Sequence, residues 1–101
     1  MPLDLKRLQS AVVIAEEGNL SRAAVRLHLS QSALSRRIQE LERDLAFPLF
    51  DHVGRGIRLT GEGQAFLEKC RELLAHSEAV EENARTFASG DHGVLRLGAS
   101  A

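Results

Sequence analysis

Residues 18–45 read GNLSRAAVRLHLSQSALSRRIQELERDL, and this stretch decides how the chain folds. It holds two apolar rows at helical spacing, separated by a short polar break. In the first row Ala23, Ala24 and Leu27 share a face, Ser21 is a candidate N-cap, and Leu20 and Val25 are placed to staple the start. In the second, Ser30 is a candidate N-cap, and Leu34, Ile38, Leu41 and Leu45 recur every three or four residues. Two adjacent alanines let another helix cross closely, as a near-perpendicular pair joined by the tight Leu29-Ser30-Gln31 connection requires.

Upstream, Leu5, Leu8, Val12 and Ala15 recur at helical spacing, and Gly18-Asn19 suits a left-handed cap at the end of this first helix. Downstream, Pro48 ends the helical pattern. Leu49-Phe50 and Ile57-Arg58-Leu59 then flank Gly54-Arg55-Gly56, which predicts a small β-hairpin with Arg55 at its tip. Thr60 can cap a further helix, Glu62 suits its positive end, and the pattern runs to about residue 88 before Ser89-Gly90. At 1.5 Å per residue that helix extends roughly 40 Å, too far for one small domain to cover. Phe66, Cys70, Leu73, Ser77, Val80, Ala84 and Phe87 alternate steps of four and three, widened by Leu67 and Leu74. This is the seam of a helix that packs on another helix, so a homodimer through this element is expected. The spacing leaves open whether the two helices run parallel or antiparallel.

The expected fold is mainly α: a winged helix-turn-helix of three helices and a hairpin wing over residues 1–60, then a long dimerisation linker helix over 61–89. Residues 90–101 read as a hinge and the start of a strand, since Val94-Leu95-Arg96-Leu97 alternates with nothing left to pair with. The natural protein is therefore expected to continue past Ala101.

Composition narrows the function classes. The 101 residues amount to one domain, and 44% apolar with 27% charged content is ordinary for a globular chain. No apolar run is long enough to span a membrane, so no membrane partner and a cytoplasmic location without a signal peptide are expected. Cys70 is the single cysteine, and His28, His52, His76 and His92 lack the paired spacing of zinc sites, so neither disulfide, metal nor cofactor is implied. The net charge of −1 hides an asymmetry: residues 20–60 hold seven arginines against four acids, whereas residues 61–101 hold four basic residues against seven acids.

A helix-turn-helix followed by a hairpin lets the third helix enter the major groove of double-stranded DNA while the second crosses the backbone. Base reading there calls for short hydroxyls, amides and a bidentate arginine, and the outer face of the third helix carries Gln31, Ser32, Ser35 and Arg36, with Gln39 beyond. Ser21 and Ser30, at two helix starts, suit phosphates. Arg55 has the length and permanent charge for a narrow minor groove, and Arg22 and Arg37 complete the candidate DNA-binding set. Simpler roles stand beside these: Ser21 and Ser30 as caps, Gly54 and Gly56 as turn formers, Cys70 as a core residue of the seam. Neither that glycine pair nor Gly61 and Gly63 have the spacing of a nucleotide-binding loop, and no nucleophile–base pairing suggests an enzyme. A protein-interaction module is the alternative that near-neutral charge leaves open. Steep weakening of binding with salt separates the two.

The sequence resembles the N-terminal domain of the LysR-type transcriptional regulators. The resemblance is carried by residues 8–17 leading into Gly18-Asn19-Leu20-Ser21-Arg22-Ala23-Ala24, by residues 26–38, by Leu41-Glu42 and Pro48-Leu49-Phe50, and by Leu59-Thr60-Gly61-Glu62-Gly63. It covers residues 3–98, the last stretch resembling the first strand of the family's effector-binding domain. It implies a dimer paired through antiparallel linker helices, tetrameric at full length, that binds an interrupted dyad near a promoter. A small-molecule inducer would act only through a C-terminal domain absent here. By the same resemblance Gln31, Ser32, Ser35 and Arg36 would contact or approach bases and Arg55 would enter the minor groove. Three positions depart from the family pattern: Ala46 stands at a usual glycine, Ser32 at a frequent proline, and Asp51-His52 at an acid–arginine pair.

Overall fold

The computed structural model describes residues 4–54 and 56–89. The elements are α1 (Leu5–Glu17), α2 (Leu20–Arg26), α3 (Gln31–Leu45), β1 (Phe50–Val53), β2 (Gly56–Leu59) and α4 (Gly61–Ala88). The strands pair antiparallel, with Phe50 opposite Leu59 and Val53 opposite Gly56. The chain divides into two compact units after Arg71, so the first turns of α4 belong with the helices and hairpin that precede it. Arg55 and the strand expected over residues 94–97 lie outside the described residues.

Local chemistry starts and stops each helix. The Asp4 carboxylate accepts the Lys6 amide at 2.9 Å, and α1 ends on Gly18, left-handed at φ 65°, whose amide returns to the Ile14 carbonyl at 2.8 Å. Asn19 caps α2 by accepting the Arg22 amide at 3.0 Å. That corrects the expectation for Ser21: the capping backbone is extended, as at Asn19, whereas Ser21 already lies inside the helix. Ser30 caps α3 as expected, accepting the Ala33 amide at 3.1 Å. Ala46 ends α3 in the left-handed region at φ 66°, so the cap geometry that favours glycine is kept by a residue with a Cβ.

The core is one cluster in which Leu8, Ala11, Ile14, Ala23, Ala24, Leu34, Ile38, Leu41 and Leu49 are buried together with Leu67 and Cys70. Ala23 is wholly enclosed, as expected where two helices cross on small side chains. The buried face of α1 is Leu8, Ala11 and Ile14 with Val13; Leu5 is exposed, and Val12 and Ala15 only flank the core. Val25 is 76% exposed and staples nothing. Leu67 and Cys70, expected in the pairing seam, are instead 0% and 3% exposed in the chain's own core, and Phe66 meets Phe47 edge to face at 5.9 Å. Heptad spacing records only that a helix has an apolar stripe; here the stripe's first turns find partners within the chain.

The hairpin is fastened at its base. Glu42 of α3 accepts the amides of Leu49 and Phe50 at 2.6 and 3.2 Å. The Thr60 hydroxyl donates to the Pro48 carbonyl at 2.7 Å and accepts the Gly63 amide at 2.9 Å, starting α4 where the hairpin closes. Gly63 is buried because α4 presses on the Leu49 carbonyl, and a Cβ there would overlap that oxygen. On the other side the Ile57 amide donates to Gly18 at 3.2 Å, tying β2 to the α1–α2 turn.

Candidate nucleic-acid interface

The arginines separate into two groups. Arg7 pairs with Glu40 at 3.1 Å and Asp44 at 2.6 Å, joining α1 to the later half of α3, and Arg26 pairs with Glu16 at 2.7 Å and Glu17 at 3.3 Å. Arg37 turns inward and donates to Ser10 at 3.1 Å, whose own hydroxyl donates to the Lys6 carbonyl. Arg37 is half-buried, one residue past Arg36 and hence about 100° round the helix, toward α1. Arg22 and Arg36 are exposed, and neither side chain enters an ion pair among the described residues. Cations without internal partners remain on the outside of α2 and α3.

Around Arg36 lie the other expected residues. Gln31 and Ser32 are exposed in the first turn of α3, and Ser35 is half-buried one turn on. Ser21 donates to the Gln31 Oε1 at 2.9 Å, so α2 holds the amide by its oxygen while its two N–H donors have no partner among the described residues. The Ser30 and Ser32 hydroxyls stand 3.3 Å apart over the start of α3. Thus Ser21, Ser30, Gln31 and Ser32 are brought together where α2 meets α3, with Ser35 and Arg36 following along one helix. Such a face offers hydroxyl and amide hydrogen bonds at close range and one long cationic fork, which is the chemistry of a base-edge reader.

Between α3 and the hairpin is a cleft of about 180 Å³, with Ser35, Gln39 and Glu42 on the helix side and Phe50 and His52 on the hairpin side. Glu42 and His52 were not among the expected site residues. A lone Glu ahead of a loop carries no periodic signal, since its partners are backbone amides seven and eight residues away.

The expected pairing residues on α4 divide as well. Leu73, Val80 and Phe87 are 43%, 54% and 54% exposed at steps of seven, Ala84 is exposed, and Leu74 and Ser77 are half-buried. Burial pushes the Cys70 thiol above its ordinary pKa, against a smaller lowering by Arg71, so its reactive thiolate is disfavoured. Among the described residues no group of three or more His, Cys, Asp or Glu side chains could hold a metal, and no helix is long and apolar enough to cross a membrane.

Three helices followed by a two-stranded hairpin, tied to α3 through Glu42 and to the α1–α2 turn through Ile57, define a winged helix-turn-helix protein. Residues 5–64 match the family described as bacterial regulatory helix-turn-helix protein, lysR family. The chain belongs to that family. It is 41% identical over 95 residues to the HTH-type transcriptional regulator ClcR of Pseudomonas putida, covering 94% of this chain and 32% of ClcR. It is also 41% identical over 96 residues to the HTH-type transcriptional regulator BudR of Klebsiella aerogenes, covering 95% of this chain and 67% of BudR. The chain thus spans about a third of the length of ClcR. Among solved structures, the crystal structure of the CbnR DBD–DNA complex matches with a TM-score of 0.78 at 38% identity, over 85% of this chain and 99% of that one. The BenM DBD/catB site 1 DNA complex matches with a TM-score of 0.84 at 32% identity, over 90% and 98%.

Proposed function

We propose that this chain is the DNA-binding part of a transcription regulator, laying α3 in the major groove with the hairpin beside it. One observation carries this: Gln31, Ser32 and Arg36 are exposed along one side of α3 with Ser35 half-buried beside them, while Arg7, Arg26 and Arg37 are engaged within the chain. Gln31 and Arg36 read base edges, Ser32 and Ser35 approach them, Ser21, Ser30 and Arg22 take phosphates, and Arg55 enters the minor groove. Two copies pair through the exposed Leu73, Val80, Ala84 and Phe87 of α4, so that an interrupted dyad is read twice. Residues 1–60 form the reading domain, 61–89 the linker helix, and 90–101 lead into an effector-binding domain through which a small-molecule inducer acts on a cytoplasmic tetramer. Support for this wider reading comes from the ClcR and BudR likenesses and from two likenesses to protein–DNA complexes.

Selection from a random duplex pool, followed by anisotropy titrations on the selected site, tests the reading. A two-fold symmetric site is expected, with affinity falling steeply with salt at a slope of about −0.9 per phosphate neutralised. Arg36→Ala is expected to relax preference at one position per half-site by about 1–3 kcal/mol. A pool that never converges, or Arg36→Ala losses equal on every sequence, contradicts the assignment.

A further inference from the structure

Leu49 is a junction between the proposed reading helix and the hairpin. Its amide and that of Phe50 both donate to one oxygen, Oε2 of Glu42, at 2.6 and 3.2 Å. Its carbonyl accepts the Thr60 amide at 2.9 Å, so the residue that closes the hairpin grips the same peptide from the other side. Glu42 enters no ion pair among the described residues, whereas Glu40 and Asp44, two places either side, both take Arg7. Its Oε2 takes the backbone amides where the chain enters the hairpin. It also borders the cleft that separates Ser35 and Gln39 on α3 from His52 on β1.

We propose that Glu42 is a positioning residue for DNA reading: by holding the Leu49 and Phe50 amides it sets the hairpin at a fixed separation from the α3 face. The inference rests on the DNA-binding reading above. Leu49 and Phe50 are buried, so without an acceptor their amides stay unpaired and the loop between α3 and β1 shifts to reach water. The hairpin then samples many separations from α3, and its tip contributes little to binding, because ordering it on the duplex cancels what the contact yields. Since one oxygen accepts both bonds, the requirement is an acceptor at that reach and not a charge. Glutamine keeps the acceptor and loses the charge, while aspartate keeps the charge but draws the oxygen back by one methylene.

The test combines Glu42→Gln, Glu42→Asp and Glu42→Ala with Arg55→Ala in the whole chain, titrating the selected duplex at one salt concentration. Folded fractions are taken from circular dichroism, and the Gln and Asp variants keep the comparison open if the Ala variant does not fold. Arg55→Ala is expected to weaken binding about tenfold in wild type and in Glu42→Gln, and less than about twofold in Glu42→Asp and Glu42→Ala. The base preference read by Arg36 is expected to persist in all four backgrounds. Arg55→Ala losses that are equal in all four, or absent in wild type, overturn the proposal, as does a Glu42→Asp protein that behaves like wild type while Glu42→Gln does not. Failure of the wild-type chain to bind any duplex would instead remove the DNA-binding reading itself.

Discussion

Gly63→Ala sets helix propensity against packing. Gly63 lies in the first turn of α4, where exchanging glycine for alanine normally stabilises a helix by about 1 kcal/mol. Here the new Cβ would overlap the Leu49 carbonyl oxygen and stand 3.0 and 3.1 Å from the carbonyl carbon and Cα of the same residue. Leu49 cannot withdraw cheaply, because Glu42 holds its amide and Thr60 its carbonyl. Overpacking against backbone costs about 1–3 kcal/mol, and weakening the junction's hydrogen bonds adds about 1. Set against the propensity gain, the net loss is about 2 kcal/mol, which for a domain of this size lowers Tm by roughly 10–15 °C. Gly61→Ala is the control, since nothing lies within 4 Å of a Cβ there; it should be neutral or slightly stabilising. Urea unfolding of both variants at one protein concentration measures the difference. A Gly63→Ala chain as stable as wild type would show that α4 does not press on Leu49.

Leu67→Ala should cost about 2–5 kcal/mol of stability at every protein concentration, because Leu67 is wholly enclosed by its own chain. Leu73→Asp should leave the fold intact and abolish self-association in sedimentation, by placing a carboxylate in the proposed seam. Arg37→Ala should lower stability by about 1 kcal/mol through the lost Ser10 bond while leaving base preference unchanged, a pattern read by urea unfolding and by duplex selection. Cys70 should react slowly with a maleimide in the folded chain and quickly in urea. Because folding raises its pKa, its contribution to stability is present below the ordinary thiol value and is lost as pH climbs through the raised one, so unfolding midpoints should fall at alkaline pH.

Elements whose causes are local were legible in the chain itself. The Ser30 cap, the Thr60 cap, the left-handed Gly18 and the apolar row Leu34-Ile38-Leu41 all follow from groups within a turn of one another. The outer face of α3 was legible for the same reason, as periodicity places Gln31, Ser32 and Arg36 opposite that row. One local expectation that failed was the cap of α2. Asn19, not Ser21, caps α2 because the entry from α1 gives Asn19 the extended backbone.

Arginine content and spacing alone could not separate Arg36 from Arg37: both are long, permanently charged and adjacent. Ser10, twenty-seven positions away, draws one inward and leaves the other outside. Nor could a heptad stripe tell that Leu67 and Cys70 meet the chain's own core while Leu73, Val80 and Phe87 stay open, since a stripe carries no information about which surface will cover it. Composition and periodicity thus determined the helices, the Ser30 and Thr60 caps and the polar face of α3, because those depend on residues within one or two turns. Only the packed fold decided which arginines are engaged, where the open seam begins and that Glu42 fastens the hairpin to α3, because each depends on chain segments that meet only after the helices have packed.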